Sequence, residues 1–100
     1  MNQIQPPNGI VRKAISSNYS LSYADRYVGT RSVTITTTLP LATGYTGKEF
    51  IVADETGNSS ANITVTATSP DHVNGAASIS ILGSYGHKNI ISDGTNWFAR

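Results

Sequence analysis

Cysteine is absent from the 100-residue chain, which excludes disulfides, thiolate metal sites and a cysteine nucleophile. The same absence argues against a small secreted domain stapled by bridges. Charge is scarce as well, with 13 charged residues and a formal net charge of +1. The seven basic residues are scattered, and only Arg12–Lys13 are adjacent. Nucleic-acid binding needs a basic stripe to release phosphate counterions, so no nucleic-acid partner is expected. No stretch approaches the roughly 20 apolar residues of a membrane helix, and no membrane partner is expected either. Met1-Asn-Gln-Ile-Gln-Pro-Pro7 has neither a charged start nor an apolar run, so no signal peptide is expected and synthesis is assigned to a cytoplasm.

Catalytic groups are equally thin. His72 and His87 are the only histidines, and neither has a carboxylate or second histidine at ligand spacing. Gly83-Ser-Tyr-Gly86 lacks the strained Gly-x-Ser-x-Gly elbow of a serine nucleophile. Asp25, Asp54, Asp71 and Asp93 each fall at or beside a turn, where aspartate bonds to its own backbone. Asp54-Glu-Thr-Gly-Asn58 and Asp93-Gly-Thr-Asn96 offer oxygens, but neither follows the twelve-residue calcium loop with its terminal glutamate. The chain is therefore read as a non-enzyme with no catalytic, cofactor or metal residues.

What is abundant is serine and threonine, 24 residues together. Threonine's branched β-carbon suits a pleated, half-buried surface, whereas the usual helix-surface residues are sparse. Residues 1–9 carry two Gln, two Asn, Pro6, Pro7 and Gly9, which predicts an extended arm. Ile4, Pro6, Pro7 and Ile10 are its candidate partner-binding residues. Period-two runs follow. Tyr19, Leu21 and Tyr23 share one face, and Val33, Ile35, Thr37 and Leu39 share another before Pro40 stops the run. Lys48 to Ala53 is apolar on both faces, the pattern of a strand covered on both sides. Further runs span 62–68, 78–82, 88–92 and 95–99, with Asp93–Gly94 as a hairpin signal. Only Leu39 to Tyr45 could hold a helical turn.

These spacings predict an all-β fold, a small antiparallel β-sandwich or barrel of about 7–8 short strands with an extended N-terminal arm. The expected division is an arm with a first short strand over residues 1–17 and a head over 18–100. Greek-key and up-and-down connections fit the pattern equally well. Phe50 and Trp97 are expected in the core, while Tyr45 and Tyr85 fall in turns and are candidate exposed aromatics. A core slightly poor in apolar residues, with little surface charge to keep copies apart, favours assembly.

Asp25-Arg-Tyr27, Val33-Thr-Ile35 with Leu39–Pro40, Gly47-Lys-Glu-Phe-Ile-Val-Ala-Asp54 with Gly57, Asn62-Ile-Thr-Val65, Val73-Asn-Gly75 and Ser92-Asp-Gly-Thr-Asn-Trp97 form an ordered set. In that order they resemble a recurring β module of tailed-bacteriophage fibre and appendage proteins, over about three quarters of the chain. The resemblance implies a homotrimer on a virion surface and brings no catalytic residues. In that family the module ends a long chain behind a shaft, whereas here only residues 1–24 precede it. A capsid decoration or cement protein, or a short head fibre, bound to major capsid protein or other virion proteins is therefore expected. The alternative is a tail-fibre tip that recognises a host surface glycan or protein.

Overall fold

The period-two runs become nine strands, with no helix among residues 10–100, which the computed structural model describes. Ile4, Pro6 and Pro7 lie outside the described residues. The strands are β1 (Arg12–Ile15), β2 (Tyr19–Ser20), β3 (Tyr27–Thr30), β4 (Thr34–Thr38), β5 (Glu49–Asp54), β6 (Asn62–Thr66), β7 (Ser78–Leu82), β8 (His87–Ser92) and β9 (Trp97–Ala99). They form two sheets, one ordered β1-β3-β5-β8-β9 and the other β2-β4-β6-β7.

The antiparallel expectation is corrected here: both sheets are mixed. Strands β1, β3 and β5 pair in parallel in the first sheet, and β2, β4 and β6 pair in parallel in the second. Over its first six strands the chain thus alternates between the sheets, winding three stacked turns of two strands. Only the last three strands add antiparallel, with β7 on β6, β8 on β5 and β9 on β8. Parallel neighbours need a crossover, usually a helix. Here the strand of the opposite sheet serves as that crossover, so neither a Greek key nor an up-and-down order describes the first six strands.

The core lies between the sheets. Val28, Phe50, Val52, Ile90 and Trp97 face inward from the first sheet and are fully buried. Opposite them, Ile35, Ile63 and Ile81 form one register row across β4, β6 and β7, each almost fully buried. Leu21, Leu39, Ala42 and Val73 close the ends of this layer from the connections. Trp97 packs against Phe50 at 5.5 Å between ring centroids, and its Nε1–H donates to Pro40 O at 3.0 Å. The burial of both aromatics follows the sequence pattern, because each sits on the inward parity of its strand.

Several local expectations are revised. Strand β2 stops at Ser20, so Tyr23 leaves the face of Tyr19 and Leu21 and is 64% exposed. Strand β4 begins at Thr34 and Val33 is 38% exposed. Strand β5 is buried on its inner face, whereas outward Ile51 is only half-buried. Residues 39–45 form no helical turn. Their backbone is held by a Tyr45 N–H donated to Ala42 O, and by an Ala42 N–H donated to Asp71 Oδ2.

Candidate binding groove

Strand register, parallel between β3 and β5 and antiparallel between β5 and β8, brings distant residues together on the outer face of the first sheet. Tyr27 of β3 lies beside Ile51 of β5, which lies beside Asn89 of β8. The next row on that face is Gly29, Ala53 and His87. Glu55, just past β5, and Tyr85, just before β8, rise at the end of these rows. Together Tyr27, Ile51, Ala53, Asp54, Glu55, Tyr85, His87 and Asn89 line a shallow groove of about 490 Å³.

Glu55 lies across Gly29, where a β-carbon would overlap its carboxylate. It accepts hydrogen bonds from Arg12, from Arg31 Nη1 at 3.1 Å and from Tyr27 Oη at 2.8 Å. Partial burial pushes its carboxyl up, but the bonds from Tyr27, Arg12 and Arg31 outweigh this and hold it below the usual range. The Tyr27 hydroxyl moves up, from its own burial and from the Glu55 carboxylate it bonds.

Asp54 points the other way and is 3% exposed. Its Oδ1 accepts from Thr56 N–H at 2.9 Å and Thr56 Oγ1 at 2.7 Å. Its Oδ2 accepts from Gly57 N–H at 3.2 Å and Tyr85 N–H at 2.9 Å. Burial alone would raise this carboxyl; the bonds from Thr56, Tyr85 and Gly57 bring it below the ordinary value. Asp54 therefore ties the turn after β5 to the corner between β7 and β8.

Tyr85 occupies that corner with φ +59°, the left-handed region that non-glycine residues seldom adopt. Its ring covers Gly57, which has φ +69° and whose added β-carbon would run into the ring. Despite this, Tyr85 is 68% exposed. Tyr45 is half-buried, its ring between Tyr23 and Trp97 at centroid distances of 5.4 and 6.2 Å. Ile10 is 48% exposed beside β1. His72 lies with Trp97 and Phe98 around a second, smaller hollow of about 230 Å³.

Asp93, like Asp54, is filled by its own turn, its Oδ1 accepting from Thr95 and Asn96 N–H groups. Among the described residues no group of three or more His, Cys, Asp or Glu is placed to hold a metal ion. Of these groove residues the sequence points to Tyr85 as an exposed aromatic and gives Glu55, His87 and Asn89 no part in a common site. No signal within one segment could have joined them, because they meet only through the β3–β5–β8 register. No protein-family model, curated protein or solved structure matches this chain.

Proposed function

We propose that the protein is a non-enzymatic structural component of a tailed-bacteriophage particle, a homotrimeric decoration or cement protein bound to the capsid through its N-terminal segment. One observation carries this reading. The chain leads from residues 1–9 through Ile10 and Val11, 48% and 61% exposed, straight into β1, the outer strand of the five-stranded sheet. An exposed apolar pair next to unpaired strand backbone is a surface for joining another chain. The ordered motif set described above supports the phage setting and the trimer.

The test is to delete residues 1–9 and add the product to particles lacking the protein. The truncated form is expected to stay folded, trimeric by native mass spectrometry, and to lose most of its occupancy. Full occupancy would place attachment elsewhere. Copy number on purified particles separates capsid from tail, since hundreds of copies indicate the capsid and a few dozen the fibres. A second reading, a receptor-binding fibre tip, is favoured by the groove and its displayed Tyr85.

A further inference from the structure

We infer that the groove on the outer face of the first sheet is a binding site for a neutral oligosaccharide. This rests on the second reading above, whose ligand class it names, and is independent of attachment to a capsid.

Tyr85 is the first observation. A corner that needs a left-handed residue is most easily made with glycine or asparagine. Here it holds a tyrosine, at φ +59°, fixed by the Asp54 carboxylate and seated on a glycine. The ring contributes little to the core, since it is 68% exposed. Backbone strain spent on displaying one flat aromatic face at the rim of a groove points to a ligand.

The charges are the second observation. Glu55 is compensated by Arg12 and Arg31, and the oxygens of Asp54 are filled by four donors. What the groove leaves free is hydrogen-bonding capacity: Tyr85, His87 and Asn89 line it, and Tyr85 Oη, the His87 ring and the Asn89 amide form no side-chain hydrogen bond to another described residue. Between them lie the apolar Ile51 and Ala53 and the half-buried Tyr27.

That combination selects a ligand class. An anionic ligand would want an unpaired cation, and a purely apolar one would want a more enclosed cavity. An extended peptide would add to a sheet edge, whereas this groove lies on a sheet face between paired strands. A pyranose ring has an apolar C–H face to lay on Tyr85 and hydroxyls to exchange hydrogen bonds with Asn89 and His87. The open shape accommodates an internal segment of a chain, so affinity from one such contact is weak.

The test is a nuclear magnetic resonance titration of the isotope-labelled full chain, taken to about 20 mM in each probe. The probes are maltohexaose and hexa-N-acetylchitohexaose, both neutral, and an acidic oligogalacturonate. A neutral hexamer is expected to shift the amides of Tyr85, Gly86, His87 and Asn89, with Kd on the order of 1 mM. Tyr85→Gly suits the corner's φ, so it should remain folded and weaken that binding at least tenfold. Tyr85→Asn, also tolerant of the left-handed region, gives the same readout should the glycine variant not fold. The inference is overturned if neither neutral hexamer shifts these amides, or if only the galacturonate does. Undiminished binding by the Tyr85 variants overturns it too. So does movement of the same amides on simple dilution, which would make a second copy of the chain the occupant. Because the titration needs no particle, a negative result leaves capsid attachment standing, and failure of attachment leaves the groove standing.

Discussion

Replacing Asp54 by asparagine should cost the protein about 2–4 kcal/mol, although the change is nearly isosteric. The carboxylate accepts four hydrogen bonds, two at each oxygen. An asparagine that keeps its oxygen toward Gly57 and Tyr85 retains those two, at the weaker strength of a neutral acceptor. Its Nδ2 then faces the Thr56 N–H, a donor against a donor, while the Thr56 hydroxyl can rotate to accept. One bond to a charged acceptor is lost, at about 1.5–3 kcal/mol, and the others fall from charge-assisted to ordinary strength. The side chain is 3% exposed, so water replaces little of this. Urea unfolding at neutral pH reads the loss as a shift in midpoint at unchanged slope. The pH dependence gives a second, independent reading. Burial raises the Asp54 carboxyl and its hydrogen bonds lower it by more, so the folded value lies below the unfolded one. Its stabilisation is therefore complete above the unfolded value of about 4 and drains away as pH falls through the lower folded value. Wild type should lose stability across that acid window more steeply than Asp54→Asn. A variant with the wild-type midpoint, or with the same acid slope, would refute the role given to this carboxylate.

Trp97→Ala should cost about 3–5 kcal/mol, the range for a large aromatic cavity, since the ring is fully buried and its N–H bonds Pro40; a cooperative variant of near-native stability in a thermal melt would contradict the packing. Gly29→Ala leaves the core untouched but displaces the Glu55 carboxylate. It should cost about 1 kcal/mol or less, as expected of partly exposed ion pairs, and an NMR titration should find Glu55 moved up toward the ordinary glutamate value. Phe98→Ser, on the outer face where Phe98 is 49% exposed beside Ile91, should change stability by no more than about 0.5 kcal/mol. A larger loss in the isolated chain would mean that this face is covered by another copy.

Strand existence was legible because a pleated strand with one buried face repeats at two residues. Ile35 and Thr37, Ile63 and Val65, and Phe50 and Val52 all show this repeat and are all buried. The final hairpin was legible for a different reason. Asp93–Gly94 is a local signal, Gly94 sits at φ +96°, and β8 pairs with β9 across it. Strand pairing elsewhere was not legible, and the antiparallel expectation failed on that point. A turn residue reports that a strand ends, not which sheet receives the next one. Residues 16–26 contain two such breaks with β2 between them, and they carry the chain to the second sheet and back. The same punctuation would serve two hairpins.

That ambiguity also hid the groove. Tyr27, Ile51 and Asn89 are far apart in sequence, and they become neighbours only because β3 runs parallel to β5 while β8 runs antiparallel to it. A slip of one residue in either pairing would turn Tyr27 or Asn89 to the wrong face, since side-chain parity alternates along a strand. Buried Val28 and Val52 oppose such a slip between β3 and β5, and buried Phe50 and Ile90 oppose it between β5 and β8. The outer face is thus fixed by the inner one. The hydrophobic core sets a register in which Gly29 leaves room for Glu55, and Glu55 draws in Arg12, Arg31 and the Tyr27 hydroxyl. The groove needs no further residues to hold its geometry except at the Tyr85 corner, where no strand pairing reaches. There the fold supplies a buried carboxylate and a glycine instead, and there the backbone is strained.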